Sequence, residues 1–216
     1  MEKTSDKILL VFAQFAEARA LIERTHAFPI IGEMAHVWSE GELPCLYSFK
    51  AGWIAIGGVG LHSAQMAVAK YAHYGTEIWN MGLAGCLRGS LSIGEILCID
   101  VVGKYLPLEE EALDIGSREC VAFTIPPLFL GTGKGKLISS DFPIHDSVRR
   151  ERLGQKWDLV DMEGYGIAYA AAALRKKCRI WKIISDFASP GGKELIRNHK
   201  TELAEKIADH LIPLLP

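Results

Sequence analysis

The sequence predicts an α/β protein, a three-layer α/β/α domain over residues 1–216 around a central, mixed, strongly twisted sheet. Two observations predict it. Short buried-strand runs alternate with segments of helical period along most of the chain. One stretch, DMEGYGIAYAAAALRKKCRIWKIISD from Asp161 to Asp186, condenses that alternation into a single unit.

That stretch begins with Asp161 and Glu163 around Met162. Small and apolar residues follow from Gly164 to Leu174, with bases at Arg175, Lys176 and Lys177. Acids before a helix and bases at its end suit the macrodipole. Ile180–Ile184 then reads as a strand closed by Ser185 and Asp186. About 15 helical residues advance roughly 22 Å, and about seven strand residues return roughly 23 Å. Asp186 is therefore expected beside Met162 and Glu163. A right-handed βαβ unit whose first strand ends at Leu159-Val160 would put both acids at the carboxyl edge of the sheet, where open α/β sheets bind ligands.

The other elements follow in order. Ile8–Phe12 is a buried strand, and AQFAEARALIERT has helical spacing. Spacing alone reads Glu17, in the first turn of that helix, as an exposed acid. Cys45–Ile56 suggests two strands about Lys50-Ala51-Gly52. Gly57-Gly58-Val59-Gly60 opens a helix over Leu61–Tyr71 and lacks the dinucleotide fingerprint. Glu77–Met81 is a strand, and Gly82-Leu83-Ala84-Gly85-Cys86 reads as a tight turn after it. Ile93–Ile99 holds another strand, and residues 103–127, with Glu109-Glu110-Glu111, read as hairpin and loop. Gly131–Lys136 fails the P-loop pattern, since three residues separate Gly131 from Gly135 and Leu137 follows Lys136. Leu137–Ser139 is a strand. Glu194–Leu215 is an amphipathic closing helix. The strands near Ile8, Ile54, Ile78, Ile96 and Ile183 are expected to be central.

A net charge of −2 makes no electrostatic case for nucleic acid. The basic clusters at 149–152 and 175–177 read as solvated surface. Cys45, Cys86, Cys98, Cys120 and Cys178 are scattered without zinc spacing. They suggest reduced thiols in a cytoplasmic protein. The first residues carry too short an apolar run for a signal peptide, and no run approaches the ~18 residues of a membrane span. The dispersed histidines, His62 among them, read as ordinary polar residues.

DME followed by ISD at this spacing resembles the nucleoside phosphorylase and nucleosidase superfamily. Within it, the chain is most similar to the methylthioadenosine/S-adenosylhomocysteine nucleosidases and the futalosine hydrolases, over Ile8 to the final helix. The resemblance implies a nucleoside phosphorylase-like fold, a homodimer and no metal or organic cofactor. It makes Glu17, the one carboxylate in Gln14-Phe15-Ala16-Glu17, the base that activates water. It makes Asp186 the acid that protonates purine N7, and Glu163 and Met162 the ribose contacts. Asn80–Gly85 matches the NxGxAG strand end, whose Ala84 and Gly85 flank the sugar and base. Ser185 belongs to the same pocket, and the glycine turn at 57–60 borders it. Ser140–Ile144 matches the base-binding loop. Pro143 stands at the family's aromatic position, so Phe142, one residue earlier, becomes the stacking candidate beside Ile144, and His145 is left open.

Crowding of Glu17, Glu163 and Asp186 should spread their pKa values, so that one holds a proton near neutral pH. The phosphorylase relatives hold phosphate with an arginine and a serine where this chain has Asn80 and Leu83. Water is therefore the expected nucleophile. The implied substrate is a purine nucleoside with a 5′ substituent: methylthioadenosine, S-adenosylhomocysteine or aminodeoxyfutalosine, with release of adenine. Futalosine with release of hypoxanthine, a phosphate-dependent phosphorylase, and a non-catalytic nucleoside-binding module are the alternatives.

Overall fold

A computed structural model describes residues 7–30, 32–37, 41–106, 128–131 and 133–216. Cys120 and the Glu109–Glu111 run lie outside the described residues.

The chain starts with β1 (Ile8–Phe12), α1 (Phe15–Arg24) and β2 (Phe28–Pro29). A separate hairpin follows, β3 (Met34–Val37) with β4 (Gly41–Pro44). Then come β5 (Leu46–Phe49), β6 (Gly52–Ile56), α2 (Leu61–Tyr71) and β7 (Glu77–Cys86). Next are β8 (Ile96–Lys104), β9 (Leu128–Phe129), β10 (Gly135–Ser139) and α3 (Ser147–Gly154). The chain ends with β11 (Leu159–Asp161), α4 (Gly164–Ala173), β12 (Lys177–Asp186) and α5 (Gly192–Leu211).

One mixed sheet runs in the order β11-β10-β8-β12-β7-β1-β6-β5-β2, with β9 paired to β8. Along β1, side chains alternate between two cores, as strand pleating requires. Leu10 and Phe12 pack with Leu21, Leu203 and Ile207 of α1 and α5. Leu9 and Val11 pack with Val68 of α2 and Ile167 and Ala171 of α4. These are the three layers, and a sheet covered on both faces explains why its strands read as continuous apolar runs.

Three expectations need correction. First, β7 does not stop at Met81. It runs through Gly82–Cys86, because β12 pairs with it as far as Asp186↔Gly85 and β11 pairs with it at Leu159↔Cys86. The small residues there are not turn residues. They let side chains of neighbouring strands approach: a methyl on Gly85 would sit 3.2 Å from Oδ1 of Asp186 and 3.3 Å from Cγ1 of Val160.

Second, β11, α4 and β12 do not form a βαβ unit of parallel strands. β12 is parallel to β7, whereas β11 is antiparallel to it. The β11–β7 pairing bends one end of the sheet into a closed ring of β11, β10, β8, β12 and β7. Asp186 still meets Met162 and Glu163, by a different route: Gly85 pairs with Asp186 on one side and with Val160 on the other.

Third, the helix–strand length balance is not the observed one. α4 has 10 residues and β12 also has 10. The helix ends early because Arg175 takes φ 55°, a left-handed conformation that cannot continue it. β12 starts early because Lys177 and Cys178 pair with Glu77 and Ile78 at the foot of β7.

Other readings agree with the structure. β5 and β6 are antiparallel about Lys50–Gly52, and α2 begins at Leu61. Lys136 lies in β10 rather than in a phosphate loop. Cys45, Cys86, Cys98 and Cys178 are free thiols. No helix among the described residues is long and apolar enough to cross a membrane.

Candidate active site

A cleft of about 420 Å³ opens where β1, β7, β11 and β12 end. All nine residues singled out from the sequence line it: Glu17 from α1, Ala84 and Gly85 from β7, Phe142 and Ile144 from the loop after β10, Met162 and Glu163 after β11, and Ser185 and Asp186 from β12.

Glu17 is held by the geometry of a helix start. It is the third residue of α1, and one carboxylate oxygen accepts the Gln14 N–H at 2.9 Å, half of a capping box. Its other oxygen accepts the Leu83 N–H on β7 at 3.0 Å. It is buried rather than exposed. Burial raises its pKa, opposed by these two backbone donors and by the charge of Lys182.

Glu163 is the residue that precedes α4. Its Oε1 accepts the Gly60 N–H at 2.8 Å, and Val59 lines the cleft, so the glycine turn at 57–60 does border the pocket. Gly58 and Gly60 take φ 87° and 103°, which L side chains rarely adopt. Burial, then the neighbouring Asp161 charge, pushes the Glu163 carboxyl up to about 7. Burial, rather than the crowding expected from the sequence, is the first cause of both shifts.

Asp186 is fixed by neighbours on its own strand end. Oδ1 accepts the Ala188 N–H at 2.7 Å, and the Ser185 hydroxyl donates to Oδ2 at 2.8 Å. α5 begins against it: a methyl on Gly192 would lie 2.9 Å from Oδ1. Phe142 and Ile144 add apolar lining to the cleft. Phe142 meets Tyr105 edge-on with centroids 5.8 Å apart, and Arg149 lies over its ring at 5.8 Å. His145 also lines the cleft, and its Nδ1 is buried without a hydrogen-bond partner.

The sequence reading missed the cation beneath this floor. Lys182, on β12, is 1% exposed and lies 2.8 Å from Oδ2 of Asp161, itself 1% exposed. Asp161 is saturated. Ser139 donates its hydroxyl to Oδ1, and Gly164 N–H donates to Oδ2 at 2.8 Å. Asp161 also lines the cleft, but its carboxylate, 1% exposed, is engaged in anchoring Lys182. A methyl on Gly82 would lie 3.2 Å from Oε1 of Glu17 and 3.3 Å from the Lys182 ammonium, so Gly82 is the gap that lets these charges converge. Burial works against the Lys182 charge, but Asp161, Glu163 and Glu17 together raise its pKa. One signal was present in the sequence: a lysine inside an apolar run on a sheet covered on both faces must be paired.

Asn80 and Leu83, the positions that decide about an anion site, are occupied elsewhere. Asn80 is buried and donates its amide to the Val11 carbonyl at 2.8 Å. The Leu83 side chain lines the cleft as an apolar wall. Arg19 points away into an ion pair with Glu23 at 2.8 Å. Among the described residues no group of three His, Cys, Asp or Glu is disposed to hold a metal ion.

Glu17, Glu163 and Asp186 thus line one cleft together with the apolar side chains of Phe142 and Ile144. The chain belongs to the phosphorylase superfamily, whose family model matches residues 17–215.

Solved structures similar in fold include three that illustrate the likeness. The Helicobacter pylori methylthioadenosine/S-adenosylhomocysteine nucleosidase, as a D198N mutant holding 5′-methylthioadenosine in its active site, is 16% identical. It covers 97% of each chain at TM-score 0.76. The futalosine hydrolase of Helicobacter pylori is 18% identical and covers 96% of each chain at TM-score 0.74. The Streptococcus pyogenes S-adenosylhomocysteine nucleosidase, in complex with 5-methylthiotubericidin, is 20% identical and covers 100% of each chain at TM-score 0.75. A search of curated protein sequences gave no match.

Proposed function

We propose that this protein is a purine nucleosidase that hydrolyses the N-ribosidic bond of a 5′-substituted adenosine and releases adenine. The observation that carries this reading is the convergence of Glu17, Glu163 and Asp186 on one cleft, while Asn80 is turned into the sheet.

In the proposed reaction the purine lies against Phe142 and Ile144 with N7 toward Asp186. The carboxyl of Asp186 gives its proton to N7 as the C1′–N9 bond breaks, and the bonding electrons leave with the base. Ionised Glu163 binds the ribose hydroxyls and stabilises the positive sugar. Glu17 takes a proton from water as its oxygen bonds to C1′. A carboxylate raised by burial is a better base near neutral pH than an exposed one. Lys182 holds Glu17 and Glu163 partly ionised from below and needs no contact with substrate. The products are adenine and a free 5-substituted ribose.

Support comes from two sides. The fold is shared with nucleosidases for methylthioadenosine and S-adenosylhomocysteine, and the phosphate-binding arginine and serine of the phosphorylases have no counterparts at Asn80 and Leu83. The reading includes a homodimer, which sedimentation velocity tests. The decisive assay is adenine release from methylthioadenosine and aminodeoxyfutalosine with and without phosphate. Equal rates and free ribose are expected; ribose-1-phosphate would make the protein a phosphorylase, and binding without turnover would make it a nucleoside-binding module.

A further inference from the structure

One polar side chain of the cleft takes no part in the reaction proposed above. His145 lines the cleft, and the chain on either side of it fixes where it stands. Ile144 before it is 4% exposed and packs in one cluster with Val160 and Ala188. Asp146 after it caps α3, its side chain accepting the Arg149 N–H at 2.8 Å. Ala188 in turn donates its N–H to Oδ1 of Asp186. A buried anchor on one side and a helix start on the other thus hold His145 at the end of the cleft where Asp186 stands.

The two nitrogens of its ring are not equivalent. Nδ1 is enclosed by protein and has no hydrogen-bond partner. The residue as a whole is only partly buried, so Nε2 is the nitrogen that can meet a ligand. The state of the ring follows from this asymmetry. A charged imidazolium would enclose an N–H at Nδ1 with nothing to accept it, and so would the neutral tautomer with its proton there. The tautomer protonated at Nε2 encloses only a lone pair. That is the lesser fault, since buried donors without partners are rarer than under-satisfied acceptors. His145 therefore presents a donor to the cleft. It becomes an acceptor only by moving its proton onto the enclosed nitrogen.

A purine offers such a donor a clear choice. With N7 toward Asp186 and the sugar on Glu163, the edge that carries N1 and C6 points away from the ribose, along the loop that ends in His145. Adenine has a bare N1, which accepts a hydrogen bond. Hypoxanthine carries a proton on N1, which donates one. N7 alone cannot tell the two apart, because it is a bare acceptor in both nucleosides.

We infer that His145 selects the base: its Nε2–H donates to N1 of adenine, and a 6-oxopurine is refused because its N1–H meets a donor. The inference rests on the nucleosidase reading of the floor and adds the base specificity to it. Discrimination of this kind is strong where a site's polar group is left unpaired by the wrong substrate. The orphaned Nδ1 is what makes this histidine one-sided. A ring with a partner at each nitrogen could exchange tautomers and serve either base.

The test compares methylthioadenosine with methylthioinosine, which differ only at the six-position and in the proton on N1. Base release by the parent should favour the adenosine by about tenfold or more in kcat/KM, the scale of one unmet hydrogen bond. His145→Ala should lower that preference about tenfold, mainly by slowing the adenosine substrate. His145→Gln, whose amide can turn either its N–H or its carbonyl toward the ring, should keep adenosine cleavage within about threefold of the parent and speed the inosine substrate. The 1-deaza analogue of methylthioadenosine has C–H in place of N1, and its penalty relative to methylthioadenosine should shrink about tenfold in His145→Ala. A merely structural histidine would slow all three substrates alike and leave these ratios unchanged, which would overturn the inference. Calorimetric titration of the parent and of His145→Ala with free adenine and free hypoxanthine reads the contact without turnover. A preference for adenine that His145→Ala abolishes keeps this inference even where no nucleoside is cleaved, an outcome that would fault the nucleosidase reading alone. Equal affinity of the parent for the two bases, or faster release of hypoxanthine than of adenine, overturns the assignment.

Discussion

The two ends of the cleft floor hold carboxylates by opposite means. At one end Glu17, Asp161 and Glu163 surround Lys182, and three buried acids share one buried cation. At the other end Asp186 forms no ion pair among the described residues and is held by the Ala188 N–H and the Ser185 hydroxyl. The first arrangement couples its members, so a change in one charge alters the protonation of the others. The second fixes direction and leaves the group to act alone. In the proposed reaction the coupled end manages water and sugar, and the isolated end manages the leaving group. The division is physical: an acid that must deliver a proton to one ring nitrogen needs aim, whereas acids that stabilise a spreading positive charge need a field.

The largest expected effect tests the isolated end. Asp186→Asn keeps a hydrogen-bond donor toward N7 but has no proton to give. Turnover of adenosine substrates should fall toward the upper end of the ~10²–10⁴-fold range of general acid catalysis. A nitrophenyl riboside, whose leaving group needs no proton, should be spared. An equal loss on both substrates would make Asp186 a sugar-positioning or structural residue and erase the contrast drawn above.

Glu17→Gln probes the coupled end. The amide can still accept the Leu83 or Gln14 N–H, so substrate affinity should hold while kcat drops about 10²-fold. Turnover within about threefold of the parent would return Glu17 to the reading that spacing alone suggested, an acid without a chemical role.

Lys182→Met separates support from chemistry. Removing one partner of a buried ion pair costs about 3–5 kcal/mol, because the other charge remains buried. Urea unfolding should show that loss, and the double variant with Asp161→Asn should recover part of it. In the surviving fraction the acidic limb of kcat/KM should move to higher pH, since the Lys182 charge lowers the pKa values of both Glu17 and Glu163. A Lys182→Met protein of parental stability would contradict the burial of the pair.

The same contrast explains what could be read from the sequence. Ile8–Phe12, the helix after it, the hairpin about Lys50–Gly52 and the helix opening at Leu61 are local signals: period, turn residues and caps. Glu163 and Asp186 are legible in the fixed spacing of DME and ISD, whereas Glu17 is legible only through the family resemblance, since spacing alone reads it as an exposed acid. What was lost is non-local. Gly82–Cys86 has turn composition, and only pairing with β11 and β12 makes it a strand. The antiparallel setting of β11 depends on ring closure, which no window of the chain displays. Lys182 is one residue of an apolar strand run, and the partner that accompanies its burial, Asp161 with its supports Ser139 and Gly164, arrives from elsewhere.

The smallest predicted effect asks whether the coupled end stores a penalty for its field. The Glu163 carboxyl stands near 7 when folded, against 4.5 as its ordinary value, first because it is buried and then because Asp161 is near. Below about pH 4.5 the folded and unfolded chains both hold this proton, and burial of a neutral acid carries no charge penalty. Between 4.5 and 7 the folded state binds the proton more tightly, so stability falls as pH rises. Above 7 both states are ionised and the full penalty remains. At 1.36 kcal/mol per unit the gap amounts to about 3 kcal/mol, less what the Gly60 N–H regains from an amide acceptor. Glu163→Gln should therefore be more stable than the parent at pH 8, by about 1–3 kcal/mol in urea unfolding, with the advantage vanishing toward pH 4.5. Activity should move the other way, because an uncharged side chain cannot stabilise the sugar cation. A variant equally destabilised at pH 5 and pH 8 would mean that Glu163 is held mainly as an anchor for the turn at Gly60. The coupled end would then be architecture, and the electrostatic work of the site would fall to Glu17 and Asp186.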